Sequence, residues 1–265
     1  MKKIISTLAL SILLILVSLI VILSTIGIET NKFNNLISKK IKDSNNNINL
    51  KLKTIRFKID VEEISLFLET LDPQIDYRGI AVPAKNIKVY IDFASIIKSE
   101  TNIKKIILVL NQLNIEQLKK IAKTLKPSNF TSFIYNKTKQ GKLNAEIEFY
   151  LNDNNLFDNY IARGSVSDLK TEITKEISLN KINFNFFADK TDVLIQNFFG
   201  ETDGVKIKNG DFKLILDPEI MLESNFITNI KYNDKSKNFK NLIKNFVYAL
   251  SLIHISEPTI RTPIS

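Results

Sequence analysis

The side chains that could carry out chemistry are few in this chain, and no catalytic arrangement can be assembled from them. The sequence contains no cysteine and a single histidine, His254, close to the end of the chain. Thiolate nucleophiles, cysteine metal sites and triads that use histidine as the base are therefore not expected. The remaining carboxylate, lysine, tyrosine and hydroxyl groups form no recognisable motif. The sequence predicts a protein that is not an enzyme and that has neither a metal site nor a cofactor.

Two pairs of carboxylates are close enough in sequence to be considered as general acids and bases. Glu62 and Glu63 are adjacent, and Glu146 and Glu148 are two residues apart. Both pairs fall on the polar side of alternating patterns, where charged side chains usually face water. We therefore expect solvated surface carboxylates.

The charge of the chain is strongly positive, at +9. The lysines are scattered among asparagines and isoleucines along the whole sequence. Nucleic-acid-binding domains usually gather their basic residues on one face or in one stripe. We therefore predict no nucleic-acid partner and interpret the excess charge as surface that can lie beside an anionic membrane.

The longest apolar stretch covers residues 4–28 and follows Lys2 and Lys3. A helix rises about 1.5 Å per residue, so about 20 apolar residues cross the hydrocarbon core of a bilayer. A cleaved secretory signal is the alternative, but its apolar region is shorter, about 7 to 15 residues, and ends in small residues. We predict an uncleaved, single-pass membrane anchor. Lysines flank both ends of the stretch, so the charge distribution does not fix its orientation.

The residues that follow the anchor, 29–47, predict a short helix and a linker. Phe33, Leu36, Ile37 and Ile41 recur at helical spacing in a lysine-rich segment. Turn-forming residues follow at 43–47. We expect an amphipathic helix over 32–42 that lies close to the bilayer.

From residue 48 the period of the apolar residues changes to two, which is typical of strands with one apolar and one polar face. This alternation is found at 48–52, 55–61, 87–93, 143–149 and 182–186.

Turn and helix signals divide these strands. The dipeptides Asp203-Gly204 and Asn209-Gly210 predict tight hairpin turns within the stretch 193–216. Helical spacing appears at 115–125 and again just before Gly141. The predicted fold class is α+β and mostly β: an N-terminal transmembrane helix followed by a curved antiparallel β-meander with short covering helices.

Taken in order, these segments resemble the N-terminal part of the AsmA-like proteins, a family that includes the TamB relatives. The resemblance rests on the single anchor and on the segments KFNNLISKKIKDSNNNINL, LKLKTIRFKID and KNIKVYIDFASIIKSETNIKKIILVLNQLNIEQLKKI. The later strands GKLNAEIEFYLND and RGSVSDLKTEI extend it over nearly all of residues 1–250. The order and spacing of the elements carry the likeness, since no single short motif is diagnostic.

The resemblance implies a bacterial inner-membrane anchor followed by a β-rich body in the periplasm. The first part of that body is similar to the chorein-type domain of bridge-like lipid transfer proteins, in which a curved sheet forms an apolar groove for acyl chains. Family members act in outer-membrane assembly and in phospholipid transport between the inner and outer membranes. The implied partners are membrane phospholipids, the inner membrane through residues 4–28, and outer-membrane assembly components.

The family also suggests how the chain is organised. Complete members are longer, so we expect an N-terminal fragment. The segment 251–259, SLIHISEPT, resembles the translation of sequencing-adapter DNA and continues no helical or strand period. We divide the chain into an anchor (1–28), a juxtamembrane helix and linker (29–47), an incomplete AsmA-like domain (48–250) and a foreign tail (251–265).

Function is therefore expected to reside in the apolar face of the sheet. Two interpretations stay open: the face is an ordinary core packed beneath the helices, or part of it lines a groove that accepts lipid chains. Each methylene group removed from water contributes about 0.8 kcal/mol, so a groove needs no specific polar contact. The candidate lining residues are Phe57, Ile59, Val89, Ile147, Phe149, Phe184 and Phe186. A scaffold that binds outer-membrane protein precursors by strand addition is the alternative.

Overall fold

The structure is a computed structural model of the chain. It describes residues 2–31, 34–44, 46–63, 65–91, 103–125, 127–152, 157–172, 178–202, 205–216 and 221–230. The chain divides into two compact units, residues 1–111 with 145–162 and residues 112–144 with 163–265. We call them the first unit and the second unit and describe each by itself.

The described residues form a few helices and many antiparallel strands. The helices are α1 (Lys2–Thr25), α2 (Asn34–Ser44), α3 (Ile115–Thr124) and α4 (Asn129–Lys137). The strands are β1 (Ile28–Thr30), β2 (Ile48–Lys51), β3 (Ile55–Asp60), β4 (Ser65–Leu71), β5 (Gln74–Tyr77), β6 (Ile80–Ile91), β7 (Ile103–Leu110), β8 (Leu113–Asn114), β9 (Thr138–Leu151), β10 (Phe157–Glu172), β11 (Ser178–Ala188), β12 (Asp192–Thr202), β13 (Val205–Ile215) and β14 (Met221–Ile230). The predicted class, α+β and mostly β with an antiparallel meander and short helices, is confirmed.

Helix α1 ends where glycine allows the chain to leave it. The N–H groups of Ile26 and Gly27 both donate to the carbonyl of Ile22. Gly27 has a φ of 76°, a left-handed conformation that glycine adopts without steric cost and that commonly ends helices. The helix is therefore shorter than the predicted segment 4–28, because Ile28 already belongs to β1.

The first unit is built on the strand order β1–β3–β4–β6–β7–β9, with antiparallel pairing throughout. The long strand β6 also pairs with β5, which in turn pairs with β2. Helix α2 contacts β2 and is tied to the following loop by Asn34, whose Nδ2 donates to the carbonyls of Leu52 (3.2 Å) and Lys53 (2.7 Å). A helix was predicted over 32–42; it runs from Asn34 to Ser44, and Lys32 and Phe33 lie outside the described residues.

In the second unit β8 pairs with β9, and the order β10–β11–β12–β13–β14 follows the chain. Both predicted helices are confirmed as α3 and α4. A capping box begins α3: Asn114 Oδ1 accepts from the N–H of Gln117, and Gln117 Oε1 accepts from the N–H of Asn114, both at 3.0 Å. Ser128 and Thr131 form the same box at the start of α4. Such boxes satisfy N–H groups that the first helical turn leaves unpaired.

The prediction of a hairpin at Asn209-Gly210 is wrong. Strand β13 runs through both residues, and its pairing with β14 shifts by one residue between Ile207 and Asn209. An extra residue in one strand is a β-bulge, and it uses the same residue types as a tight turn. The Asp203-Gly204 turn and the tail 251–265 lie outside the described residues.

Two further bulges occur in the second unit. In β11, Lys181 and Ile182 together oppose Gly200, and in β12, Asn197 and Phe198 together oppose Phe184. Lys181 and Asn197 have φ values of 51° and 54°. Because a bulge adds one residue, the side chains on either side of it stay on the same face although their spacing in sequence changes from two to three.

Candidate functional site

The strand pairing of the first unit collects apolar side chains on one side of the sheet, which we call the first apolar face. Residues directly opposite each other in an antiparallel ladder project to the same side. The longest row of such partners, in order from β1 to β9, is Ile28, Phe57, Leu68, Val89, Ile106 and Phe149. Further members of the face lie two positions away from this row on their strands. Among them are Ile59, Leu66, Ile87, Ile91, Leu108 and Ile147.

The size of this face can be compared with an acyl chain. The row crosses six strands, and neighbouring strands are about 4.8 Å apart, so it extends over about 24 Å. The hydrocarbon of one bilayer leaflet is about 15 Å deep, half of the full core. The face is therefore long enough to carry an extended acyl chain along one row of side chains.

The opposite side of the same strands, the charged face, has a different composition. Lys58 pairs with Glu69, with Nζ 3.2 Å from Oε2. Lys105 forms an ion pair with Glu63 and places its ammonium 4.4 Å from the centre of the Tyr90 ring. Opposite charges and cation–π contacts on neighbouring strands stabilise a sheet without an apolar covering layer.

The charged face also contains a stacked pair of aromatic rings. The rings of Phe67 and Tyr90 stack with 5.0 Å between their centres, and the Tyr90 hydroxyl donates to Asp60 Oδ2 at 3.2 Å. Burial, together with the Asp60 carboxylate, raises the pKa of the Tyr90 phenol. The phenol is therefore neutral at physiological pH and acts as a hydrogen-bond donor.

The charged face contains more buried side chains than the longest row of the first apolar face, which is the reverse of the usual arrangement. Phe67, Tyr90 and Ile107 on the charged face are buried, and so are the carboxylates Glu69 and Glu148. Every member of the row from Ile28 to Phe149 keeps part of its side chain exposed. The described residues thus bury aromatic and carboxylate side chains on the charged face and leave this row of the first apolar face partly exposed. Ile55 and Thr70, which lie on the same apolar face next to the row, are buried.

The expectation that all four candidate carboxylates are solvated is wrong for Glu148. This carboxylate is buried on the charged face and accepts a hydrogen bond from the Tyr150 hydroxyl at 2.9 Å. Glu63 is exposed and paired with Lys105, and Glu62 is exposed. Glu146 is half-buried, so the prediction of exposed carboxylates holds for Glu62 and Glu63.

The second unit carries its own apolar side, the second apolar face. Phenylalanine rings from four successive strands, β11 to β14, contact one another in the order Phe184, Phe198, Phe212 and Phe226. The distances between ring centres are 6.0, 5.1 and 6.3 Å. Phe186 lies on the same face, since it pairs with Ile195 and Ile195 pairs with Phe212.

Part of the second apolar face is packed tightly against glycines. Ile182 is fully buried and covers Gly200, where a Cβ atom would lie 2.1 Å from Ile182 Cδ1. A Cβ on Gly210 would lie 3.1 Å from the Cβ of Phe226, which is itself exposed. This face is therefore a sealed core around Ile182 and becomes open toward β14.

The candidate residues are thus placed in two groups. Phe57, Ile59, Val89, Ile147 and Phe149 share the first apolar face. Phe184 and Phe186 lie on the second apolar face.

Sequence reasoning missed several members of both faces. Ile28 was assigned to the anchor, and Ile106 and Leu108 belong to a continuous apolar run that shows no alternation. Phe198 is part of a bulge, so it is out of phase with the residues that precede it in β12. Leu68 belongs to the continuous apolar run Leu66–Phe67–Leu68, so alternation does not assign it to a face either.

Two other features bear on function. Among the described residues, α1 is the one helix that is long and apolar enough to cross a membrane, with a span at Thr7–Thr25. The first unit also has a cleft of about 550 Å³ beside β2 and β5, whose walls include Lys51, Asp72 and Asp76. That cleft does not belong to either apolar face.

Within the described ranges, no group of three histidine, cysteine or acidic side chains could hold a metal ion. No protein-family model matches the chain, and no curated protein matches it in sequence.

Proposed function

We propose that this chain is a membrane-anchored, non-enzymatic protein whose apolar sheet faces bind phospholipid acyl chains. The single observation that carries the proposal is the reversed burial of the first unit: a continuous apolar row is left partly exposed, while the charged face is closed. In an ordinary domain the apolar side of a sheet is the sealed one. An unsealed apolar surface of this length indicates a binding surface for an apolar ligand.

The resemblance to the AsmA-like proteins supplies the biological setting of the proposal. In that setting α1 anchors the chain in the bacterial inner membrane, and the parts of the two units that follow α1 lie in the periplasm. The bound lipids are then phospholipids on their way between the inner and outer membranes, and the process served is outer-membrane biogenesis.

The energetics favour acyl chains over small polar ligands. A chain that removes about ten methylene groups from water on such a face gains roughly 8 kcal/mol. No polar group on the first apolar face is needed to hold it. Binding of this kind depends on length and apolar character, so several phospholipids with different headgroups should be accepted.

The test is lipid co-purification from the full chain in mild detergent, with bound lipid measured by mass spectrometry. Ile147→Glu places a carboxylate on the first apolar face, on the last of its six strands, and should abolish the bound lipid. The matched control is Leu71→Glu, since Leu71 is exposed at the end of β4, beside the charged face. The control should keep its lipid.

Stability separates a groove from an ordinary core. An unpaired carboxylate in a sealed core costs several kcal/mol, which is enough to unfold a domain of ordinary stability. Ile147→Glu should therefore remain folded by circular dichroism if its side chain faces a groove. A folded variant that still carries lipid would reject this face as the binding surface, and an unfolded one would identify it as a core.

The second apolar face can be tested in the same way. Phe184→Glu addresses the aromatic row, and Phe187→Glu is its control on the opposite side of the same strand, where Phe187 is exposed. Loss of lipid in the first variant alone would extend the binding surface to the second unit.

Strand addition to β14 is a second candidate, because residues 221–227 of this strand are exposed and no other described strand pairs with its outer edge. In this function the chain is a scaffold that holds outer-membrane protein precursors. Retention of an unfolded outer-membrane polypeptide would support it. Ser224→Pro and Asn225→Pro form a matched pair, since neighbouring residues in a strand direct their N–H groups to opposite edges. Only the variant whose lost N–H faces away from β13 should weaken retention of the polypeptide, and this variant should remain folded.

A further inference from the structure

One end of the first unit lies beside the C-terminal end of α1. Gly27 is against Phe57 and Lys58, and α1 itself contacts β3. Strands β1 and β3 are antiparallel, and Ile28 pairs with Phe57. The residues that follow Phe57 in β3 therefore run toward the residues that precede Ile28, which is the side of α1. We call this end of the sheet the anchor end.

The strand pairing shows which other segments reach the anchor end. Asp60 pairs with Ser65, so the turn 61–63 is located there. The end of β6 and the start of β7 follow through the pairing of Ile91 with Leu66 and Ile103. The end of β9 follows through the pairing of Tyr150 with Lys105.

Apolar side chains are exposed at this end. Val61 lies in the turn after β3 and is 57% exposed. Phe157, at the start of β10, is 56% exposed and contacts the rings of Phe149 (6.3 Å) and Tyr160 (6.5 Å). Because Phe149 is the last member of the longest apolar row, Phe157 continues the first apolar face at the anchor end.

The depth of these residues follows from chain geometry. The membrane span of α1 ends at Thr25. Asp60, the last residue of β3, is two residues beyond Lys58, which is about 7 Å toward the side of α1, and Val61 follows it in the turn. The headgroup layer on each side of a bilayer is about 6 Å thick, so a strand end in this position reaches the boundary of the hydrocarbon.

The charges at the anchor end permit such contact. The Asp60 carboxylate accepts from Tyr90 and from the N–H groups of Glu62 and Glu63, which fixes the turn. Glu63 is paired with Lys105. Glu62 and Asp158 are exposed at this end, and so is Lys104 at the start of β7. These four carboxylates outnumber the two lysines, so the described residues of this end carry a net negative charge, which fits zwitterionic phospholipid better than a strongly anionic membrane.

We propose that the anchor end of the first unit is seated in the headgroup layer of the membrane, with Val61 and Phe157 inserted at its boundary, so that the first apolar face opens directly onto the bilayer. The inference rests on the proposed anchoring by α1 and on the proposed lipid binding. It assigns a membrane-contact surface in addition to the helix.

Because the chain contains no tryptophan, single tryptophans can report the depth of chosen residues. Val61→Trp and Phe157→Trp are made in the full chain, which is reconstituted into phosphatidylcholine vesicles containing lipids brominated near the headgroup or near the chain end. Leu14→Trp within α1 is the positive control. Leu71→Trp is the matched negative control, since Leu71 is 38% exposed and lies at the opposite end of β4.

Both test positions should lose emission with lipids brominated near the headgroup and lose less with lipids brominated near the chain end. Leu71→Trp should keep its emission with both. The same pattern should persist with Ile147→Glu in the background, because that variant removes lipid from the apolar face and leaves the bilayer contact.

Four outcomes would overturn the inference. If Leu14→Trp is quenched and the two test positions are not, the proposed contact of the anchor end with the headgroup layer is refuted, and membrane anchoring by α1 is not. If Leu14→Trp is not quenched, membrane anchoring by α1 is refuted, and the contact of the anchor end with the headgroup layer is refuted as well. Equal quenching of Leu71→Trp shows that the contact is not confined to the anchor end. If the test positions lose their quenching when Ile147→Glu is added, the quenching came from lipid bound on the first apolar face and not from the bilayer.

Discussion

The contact between Gly200 and Ile182 gives the sharpest prediction for the second unit. A Cβ atom added at Gly200 would lie 2.1 Å from Ile182 Cδ1 and 3.2 Å from the carbonyl oxygen of Asn180. Ile182 is fully buried, so it cannot move aside into solvent. Overpacking of this kind costs about 1 to 3 kcal/mol, a large part of the stability of an ordinary domain. Gly200→Ala should therefore lower the free energy of unfolding by that amount.

A second substitution tests the cause. Ile182→Val removes Cδ1, the atom in closest contact, and costs about 0.5 to 1.5 kcal/mol by itself. In the double variant the 2.1 Å contact is absent, and the contacts of 3.2 Å with Cγ1 and with the Asn180 carbonyl oxygen remain. The total loss should therefore be smaller than the sum of the single losses by about 1 kcal/mol. Gly210→Ala is the control, because its nearest contact would be the Cβ of Phe226 at 3.1 Å, which requires a much smaller shift than the 2.1 Å contact at Gly200.

Urea unfolding of the full chain in detergent, followed by circular dichroism, measures all four variants. Gly210→Ala should lose clearly less stability than Gly200→Ala. The reasoning would be refuted if Gly200→Ala were as stable as the parent chain. It would be refuted equally if the losses of Gly200→Ala and Ile182→Val were simply additive.

Three further predictions concern the anchor, a helix cap and the charged face. Leu14→Arg should impair membrane anchoring, since an arginine at the centre of a span costs about 2.5 to 3.5 kcal/mol, and the chain should shift to the soluble fraction on membrane flotation. Asn114→Ala removes the cap of α3 and should cost about 1 kcal/mol in thermal or urea unfolding; Ser128→Ala should act likewise on α4. Burial and Asp60 raise the pKa of the Tyr90 phenol above its ordinary value of 10.0, so the native state keeps this proton at a pH where the unfolded chain has lost it. Stability should fall as the pH rises above about 10, by up to about 1.4 kcal/mol per pH unit from this group, and Tyr90→Phe should lack that component.

Local patterns in the sequence were sufficient for the regular elements. The apolar stripe of α3 ends near a proline and begins at a capping residue, and both signals are local. The strand β3 alternates without interruption and was predicted almost to the residue. Helix α1 ends three residues before the segment predicted as an anchor, because the apolar run continues past Gly27 into β1.

Features that depend on partner strands could not be predicted in the same way. A bulge is defined by the pairing of two strands, so Asn209-Gly210 looks like a hairpin until β14 is known to continue opposite it. For the same reason Phe198 could not be assigned to a face. The burial of Glu148 depends on Tyr150 and on the strands beside it, and no local pattern carries that information.

The bulges also determine where this sheet can change in length during evolution. Deleting one residue from a regular strand turns every following side chain to the other face, so that apolar residues meet water and polar residues meet the apolar side. Deleting Lys181 or Asn197 would instead restore one-to-one pairing with the neighbouring strand, and the residues on both sides would keep their faces. Related sequences should therefore show single-residue gaps at these two positions more readily than elsewhere in β11 and β12.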